Sequence, residues 1–482
     1  MSTIRKLTIA LGITLATFPP LAGQITNSLY FMHGVPQSNR INPAHQPECG
    51  FYLGFPMLAP LRLEATSSSL AYQDLIYPHP TQDSLITFLH PLGSKQAFLD
   101  QLQSVNYVIS DLGTSLASIG FRTSIGFFSL DVTTRVDGSV YYPRDLARLL
   151  LYGAGEGETY QFDGIGINLS AFNEASLGWS AEILDNLQVG VRGKLLFGMA
   201  DLSTRRSELS LSTSQDLWNI RSDMMLNASL PFAQVQYDTD GSIEDVLLDE
   251  DIEDLGPFAL PGYLFNTGNL GAGLDVGINY RPVEQLQLSA SAVDIGFISW
   301  KDGVHDVTYV ADYDFEGIEI NPFELSEDSD FGDYLDSVLL DSLSTFLEFT
   351  QGRTYSKRLN TKLYLGASYY LTPNINFGIL SRTDFLDGRV AQQFTASANL
   401  TTGRFINLTL SYSVMNSYLK NMGAGFSFNV GPLNLYLISD NILNGVFWPQ
   451  EARSFNLWFG MNLVFGYRQF KLREYGDKPL IY

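Results

Sequence analysis

The fold is decided by a thirteen-residue stretch, LQVGVRGKLLFGM, that runs from Leu187 to Met199. Apolar and polar residues alternate along it, which is the period-two pattern of a β-strand with two different faces. One face carries the apolar set Leu187, Val189, Val191, Leu195, Phe197 and Met199. The opposite face carries Gln188, Gly190, Arg192, Lys194 and Gly198. Glycines and charges on one face are typical of a wet barrel lumen, whereas a soluble barrel packs its apolar face inside.

The same alternation returns in four further segments, at Leu270–Tyr280, Ile406–Val414, Ala424–Val430 and Leu457–Tyr467. Most of these segments are about nine to thirteen residues long, whereas strands of globular proteins average about five or six residues. Strands that cross a bilayer at a tilt need about nine to eleven residues. The sequence therefore predicts an all-β fold, an antiparallel transmembrane β-barrel of about fourteen strands. A soluble secreted β-protein is the alternative.

Two long connections carry almost all of the formal net charge of −22. Residues 238–254 hold nine acidic residues and residues 312–341 hold eleven, and neither window holds a base. Short turns separate many of the other strands, and a barrel with short turns at one end places its long loops outside the cell. We therefore predict long acidic extracellular loops. With no basic stripe to neutralise phosphates, a nucleic-acid partner is excluded.

The acidic windows contain two pairs of carboxylates spaced two residues apart, which is a pattern that hard divalent cations accept. The metal candidates are Asp238, Asp240, Asp328 and Asp330. Neither pair completes a calcium-loop motif, and the alternative interpretation is a pair of solvated loops. Divalent cations at the acidic loops are therefore one predicted partner, and outer-membrane lipid is another.

The second acidic window also contains apolar residues at helical spacing, which predicts a short amphipathic helix. Its apolar residues are Phe331, Tyr334, Leu335, Val338, Leu339 and Phe346. Such a helix either packs on the barrel rim or acts as a gating helix for an apolar ligand. Both interpretations stay open at the level of sequence.

The N-terminus has the layout of a cleaved secretory signal. Arg5 and Lys6 precede an apolar stretch from Leu7 to Phe18, and small residues follow before Gln24. We therefore predict a signal peptide at 1–23 and export to the cell outer membrane. Residues 24–110 are predicted to form an N-terminal lead-in or plug with the first strands, and residues 111–482 the remainder of a single barrel domain.

Charged and amide side chains on the predicted lumen face are the best functional candidates. They are Arg192, Lys194, Asp275 and Asn279. They form either a polar path or binding site, or a salt-bridge network that braces the wall. The sequence has no nucleophile elbow, no His-Glu-x-x-His pair and no phosphate-binding glycine loop, so neither an enzyme nor a cofactor is expected. A Ser-His site on the lipid side, as some barrels carry, is the alternative.

Several N-terminal motifs resemble those of a known family. They are LYFMHGVPQSN at 29–39, NPA at 42–44, FYLGFP at 51–56 and YPRDL at 142–146. This combination resembles a family of outer-membrane β-barrel proteins of unknown function from Bacteroidota. The resemblance covers most of the mature chain and implies the fold, but it brings no known ligand or catalytic residue.

The step Asn42-Pro43-Ala44 is also similar to one in the N-terminal plug of long-chain fatty-acid transporter barrels. That similarity implies a barrel of roughly fourteen strands, an N-terminal segment inside the lumen and passage of hydrophobic molecules. Passage or binding of hydrophobic or amphiphilic small molecules is thus the first functional hypothesis. A structural or assembly component of a secretion or gliding complex, and a general porin, are the alternatives.

Overall fold

The computed structural model of this chain describes residues 27–466, apart from 216, 238–242, 249–261, 263, 316–346, 387–388, 403–404, 416–418 and 443–451. Among these residues the helices are few: two 3₁₀ turns, Ser28–Phe31 and Pro36–Arg40, and the helices α1 (Tyr72–Leu75), α2 (Lys95–Gln101) and α3 (Arg144–Tyr152). In the described part of the chain, no helix is long and apolar enough to cross a membrane.

Strands make up most of the chain. The first half contains β1 (Phe51–Gly54), β2 (Leu61–Ser67), β3 (Ile76–Pro78), β4 (Leu85–Thr87), β5 (Val105–Thr123), β6 (Gly126–Pro143), β7 (Thr159–Gln161), β8 (Gly166–Leu184), β9 (Leu187–Thr213), β10 (Trp218–Ser229), β11 (Ala233–Tyr237) and β12 (Ile243–Leu248). The second half contains β13 (Leu270–Val283), β14 (Leu286–Trp300), β15 (Val304–Phe315), β16 (Leu347–Gln351), β17 (Tyr355–Arg358), β18 (Lys362–Thr372), β19 (Ile375–Leu386), β20 (Arg389–Thr402), β21 (Ile406–Met415), β22 (Leu419–Val430), β23 (Leu433–Ser439) and β24 (Ser454–Phe465).

Fourteen antiparallel wall strands close into a barrel. Their order is β1 with β2, then β5, β6, β8, β9, β13, β14, β18 with β17, β19, β20, β21, β22, β23 and β24, which pairs back onto β1 and β2. The strand β13 pairs with the first half of β9, and β10 pairs with its second half. The strands β10, β15 and β16 continue the wall there. The predicted antiparallel barrel of about fourteen strands is confirmed.

The two ends of the barrel differ in the length of their connections. At one end, called here the short-turn end, consecutive strands are joined at 124–125, 185–186, 284–285, 373–374, 403–405 and 431–432. At the other, the long-loop end, the connections include 68–104 and 144–165. Which end faces the exterior of the cell stays a prediction.

The wall strands expose their apolar face and bury their polar face. On β21, the outward side chains of Leu408, Leu410 and Tyr412 are exposed, while Asn407 and Thr409 point into the lumen and are buried. A soluble protein with this arrangement would expose a continuous apolar surface to water, which monomeric soluble proteins avoid. A bilayer solvates such a surface favourably, and a closed barrel leaves no unpaired strand edge in the lipid. The chain is therefore a membrane-spanning barrel of the outer-membrane type.

A small cap covers part of the long-loop end. Ser94 begins α2 by accepting a hydrogen bond from the Ala97 amide at 3.1 Å, as an N-cap residue does. Phe98 and Leu99 of α2 pack with Leu151 of α3 in an apolar cluster of the cap. The cap thus has its own apolar contacts beyond the membrane-spanning wall.

Candidate functional site in the barrel lumen

The described residues upstream of β1 lie inside the barrel. This inner segment, defined as residues 27–49, forms hydrogen bonds with strands on different sides of the lumen. Tyr30 donates to Ser289 of β14 at 2.8 Å, and Gln37 donates from Nε2 to Asn462 of β24 at 2.7 Å. Its apolar side chains are buried with lumen-facing side chains of the wall, and this cluster contains Leu29, Tyr30, Phe31, Met32, Val35, Ile41, Tyr364, Leu380, Tyr436 and Trp458.

Lumen-facing glycines let the inner segment approach the wall closely. A Cβ atom on Gly190 of β9 would lie 2.1 Å from the Pro43 carbonyl oxygen. One on Gly277 of β13 would lie 2.1 Å from Asn42 Oδ1. Neither distance is compatible with a Cβ atom, so glycine is required where the Pro43 backbone and the Asn42 side chain meet these strands.

The described N-terminal end of the inner segment is bound by a carboxylate. Asp440, which follows β23, accepts hydrogen bonds from the amides of Asn27 and Ser28, and the distance from Ser28 N to Asp440 Oδ1 is 3.2 Å. The Asn27 side chain donates to Thr395 of β20 at 2.8 Å. The segment is therefore attached to the wall along its whole described length.

Twelve charged side chains in the lumen, nine of them buried and three half-buried, form what we call the central charge cluster, and Arg40 of the inner segment is one of them. Its basic members are Arg40, Arg62, Arg135, Arg192, Lys194 and Lys362, and its acidic members are Asp111, Asp131, Asp137, Glu174, Asp275 and Asp294. The twelve side chains are joined by ion pairs, and pairing is the condition under which charges are tolerated away from bulk water.

The structure brings together three of the four lumen residues named from the sequence. Lys194 Nζ lies 2.9 Å from Asp275 Oδ2, and Arg192 Nη2 lies 3.5 Å from Asp131 Oδ2. Asn279 lies nearer the short-turn end and accepts a hydrogen bond at 3.0 Å from Asn42 of the inner segment. All four side chains are buried in the lumen, and their role in ligand binding stays a prediction.

Sequence reasoning missed the residue at the centre of the cluster, Asp294. Its carboxylate lies within 3.5 Å of the terminal nitrogens of Arg135, Lys194 and Lys362. Simple alternation hides it, because Val293 and Asp294 are consecutive and both buried where the pairing of β13 with β14 shifts register. Arg135 could have been found, because it lies on the polar side of an alternating stretch in β6.

Two cavities adjoin the central charge cluster. The central cavity, of about 70 Å³, is lined by all six basic members of the cluster together with Glu174, Asp294, Tyr364 and Trp458, among other residues. The upper cavity, of about 60 Å³, lies nearer the long-loop end, and its apolar lining is Ile109, Tyr141, Phe172, Ile298, Trp300, Leu359 and Leu386. Lys362 lines both cavities.

One further cation in the upper cavity is fully engaged by the wall. Lys357 Nζ lies 2.9 Å from Asp201 Oδ1 and donates to Ser170 and Ser203 at 2.8 and 2.9 Å. Three acceptors saturate an ammonium group. The upper cavity thus combines an apolar wall with charged groups, of which Lys357 is already paired.

Two titratable groups of the inner segment lie close to Arg281 of β13. Burial, reinforced by Arg281, lowers the pKa of His33 to about 4. Burial raises the pKa of Glu48 to about 7, although Arg281 opposes this shift. His33 is therefore neutral at physiological pH, whereas Glu48 changes its charge near neutrality.

Other candidates named from the sequence cannot be placed. The metal candidates and the apolar residues of the predicted gating helix lie outside the described residues, and they are Asp238, Asp240, Asp328, Asp330, Phe331, Tyr334, Leu335, Val338, Leu339 and Phe346. Within the described part of the chain, no group of three His, Cys, Asp or Glu side chains is arranged to hold a metal ion.

Solved structures of similar fold include transporter barrels. A FadL homologue of Pseudomonas aeruginosa is 10% identical, with 92% of this chain and 99% of that chain covered and a TM-score of 0.40. The toluene transporter TbuX of Ralstonia pickettii is 8% identical, with 89% and 94% covered and a TM-score of 0.40. The predicted similarity to fatty-acid transporter barrels is confirmed, but these values are too low to indicate a shared substrate.

No curated protein matches this chain in sequence. One protein family does, and its match extends over residues 43–440, which is most of the chain and nearly all of the barrel. This confirms the predicted membership of a family without a known function, while an origin in Bacteroidota stays a prediction. The chain belongs to DUF5723, a family of unknown function.

Proposed function

We propose that this barrel lies in the outer membrane and binds and passes hydrophobic or amphiphilic small molecules. The observation that carries the proposal is the upper cavity, because it has an apolar wall that lies beside the central charge cluster. Small-molecule sites are typically concave and mostly apolar, with a few polar groups that fix orientation.

The wall of the upper cavity comes from two apolar clusters. Phe172, Ile298, Trp300 and Leu359 pack together, and Tyr141 belongs to a second cluster. The charged residues Asp111, Asp137 and Lys362 lie on the side that meets the central charge cluster. An amphiphile fits this arrangement with its apolar part on the aromatic wall and its polar part toward the charges.

The inner segment argues against a general porin. It crosses the lumen and contacts strands on several sides, which is unlike the open aqueous channel that porins require. Controlled passage of a bound molecule is compatible with such a segment. The signal layout of residues 1–23 and the lipid-facing apolar surface both support an outer-membrane location.

One observation favours the second candidate, an assembly component. Several large apolar side chains of the long-loop end are exposed, and they are Leu85, Leu89, Leu92, Leu150 and Tyr152. Exposed apolar patches mark interaction sites in many proteins. A protein partner at the long-loop end would account for them.

Mass spectrometry of molecules retained by the gently solubilised protein tests the proposal. Ser139 lines the upper cavity, so Ser139→Phe fills it, whereas Ala290→Phe adds the same ring to the lipid-facing side of β14. We expect the wild type and Ala290→Phe to retain a hydrophobic molecule and Ser139→Phe to lose about 90% of it. Equal retention by both variants contradicts the proposal, and a stoichiometric protein partner without a bound molecule favours assembly.

A further inference from the structure

The central cavity presents an unusual excess of positive charge. Six basic side chains line it, but only Glu174 and Asp294 among the acidic members of the cluster do. The other four acidic members, Asp111, Asp131, Asp137 and Asp275, pair with the same cations without lining the cavity. The positive ends of these ion pairs therefore meet at the cavity, and the negative ends lie away from it.

Unused hydrogen-bond donors occur at the same place. The Nε atoms of Arg40, Arg62, Arg135 and Arg192 are buried and have no hydrogen-bond acceptor among the described residues. Each guanidinium offers five N–H donors, and the ion pairs of these arginines use the terminal nitrogens. Leaving a buried donor unsatisfied is costly, so four such donors around one cavity indicate a ligand that accepts hydrogen bonds.

The remaining lining strengthens the interaction of these charges with a bound ion. Ile41, Pro60, Val293, Tyr364 and Trp458 supply apolar surface beside the guanidinium groups. Apolar surroundings lower the local dielectric constant, which strengthens Coulomb attraction. Glu64, a further acid close to Arg62, accepts a hydrogen bond from Trp458 and does not line the cavity.

We propose that the central cavity binds one small inorganic anion, of a size between chloride and phosphate. The volume of about 70 Å³ admits such an ion, since a water molecule needs only about 10–15 Å³ of a volume measured in this way, and a lining with six cations favours an anion over an uncharged acyl chain. Arginine is the side chain best suited to oxyanions, because its planar fork donates two parallel hydrogen bonds. The anion joins Arg40 of the inner segment to Arg62, Arg135 and Arg192 of the wall. This site does not depend on the proposed passage of hydrophobic molecules.

The test uses the full mature barrel in non-ionic detergent, held at constant ionic strength with gluconate as the bulky reference anion. Sodium phosphate and sodium bromide are the probes. A ligand that binds only the folded state raises the unfolding temperature in a saturable way. We expect saturation with at least one of the two probes, and bromide soaked into crystals should give an anomalous peak in the central cavity.

A pair of glycine variants tests the location without removing a charge. A Cβ on Gly113 would lie 3.4 Å from Arg62 Nη2 and 3.5 Å from its Nε, which is ordinary contact, so Gly113→Ala places a methyl group in the cavity. Gly273→Ala is the matched control, because its Cβ contacts Lys194 and Leu359 at 3.4 Å or more and Gly273 does not line the cavity. Gly113→Ala should weaken apparent anion affinity about fivefold or more, and the control should not.

A charge-balanced double variant gives the larger effect. Arg62→Gln with Asp111→Asn removes a cation together with its carboxylate partner, and affinity should fall at least about tenfold. Lys357→Met with Asp201→Asn is its control, since that pair lies outside the central cavity. A shift that never saturates, or one that is equal in Gly113→Ala and Gly273→Ala, overturns the proposal.

Decanoate is a further probe. Binding of decanoate at least about tenfold tighter than phosphate would also overturn the proposal, because the site would then hold the carboxylate of an amphiphile.

Discussion

Lys194 Nζ lies 2.6 Å from Asp294 Oδ1, and Asp294 also lies 3.0 Å from Arg135 and 3.5 Å from Lys362. The backbone of Asp294 has φ of 61°, in the left-handed region that residues other than glycine seldom adopt. Its amide donates to Asp275 Oδ1 at 2.7 Å. The contacts of the Asp294 carboxylate with three cations thus hold Asp294 in this unfavourable backbone conformation.

Asp294→Asn should destabilise the barrel by about 3–5 kcal/mol, because three buried cations lose their common counter-charge. Asparagine tolerates the left-handed region nearly as well as aspartate, so the variant tests the charge and not the backbone. The free energy of unfolding of the detergent-solubilised protein in urea measures the effect. A loss under about 1 kcal/mol would show that the central charge cluster contributes little to stability.

The matched control for this prediction is an exposed ion pair. Arg221 and Asp312 lie 3.4 Å apart on β10 and β15, and their side chains are 69% and 67% exposed. Solvent-exposed pairs contribute little, so Asp312→Asn should leave the free energy of unfolding unchanged. Equal effects of the two aspartate variants would mean that burial does not distinguish these pairs.

The barrel could be predicted from the sequence because alternation is a local property. Every second residue of a wall strand meets lipid, so the pattern in Leu187–Met199 reports both the strand and its faces. The same rule placed Arg192 and Lys194 in the lumen, where the structure has them. The number of wall strands followed from repeating this pattern along the chain.

The central charge cluster could not be predicted in full, because its contacts join distant parts of the chain. Arg135 and Asp294 are 159 positions apart, and an alternating pattern does not show which strands face each other across the lumen. The register shift at Asp294 breaks the very pattern on which the prediction depended. Gly190 was recognised as a lumen residue, but its partner Pro43 becomes evident only in three dimensions.

Gly190→Ala should displace the inner segment from the wall. The added Cβ would lie 2.1 Å from the Pro43 carbonyl oxygen, so the segment has to move. We expect a higher single-channel conductance in a planar bilayer, since the segment crosses the lumen. Gly193→Ala is the control, because nothing lies within 4 Å of its Cβ. If conductance is unchanged in a folded Gly190→Ala barrel, the inner segment does not restrict ion flow.

Asn279→Ala should loosen the inner segment without unfolding the wall. Asn279 accepts from Asn42 at 3.0 Å and donates to the Ala44 carbonyl at 3.2 Å. Loss of these bonds leaves buried groups unsatisfied, which costs about 1–3 kcal/mol. Hydrogen exchange of residues 27–49 should become faster in this variant. Asn399→Ala is the control, because Asn399 donates to the wall residues Asn376 and Ser397, and faster exchange in both variants would refute a specific role for Asn279.

Stability of the docked inner segment should fall as the pH rises through neutrality. Burial raises the pKa of Glu48 from 4.5 to about 7, so the folded protein holds a proton that the unfolded chain has released. This contribution is fully present below pH 4.5 and is lost as the pH rises through about 7. Glu48→Gln should therefore flatten the decline in unfolding temperature between about pH 5 and about pH 8. Glu284→Gln changes a residue of an exposed turn and should keep the wild-type decline of unfolding temperature with pH. If the wild type and both variants show the same decline, Glu48 is ionised in the folded barrel throughout this range.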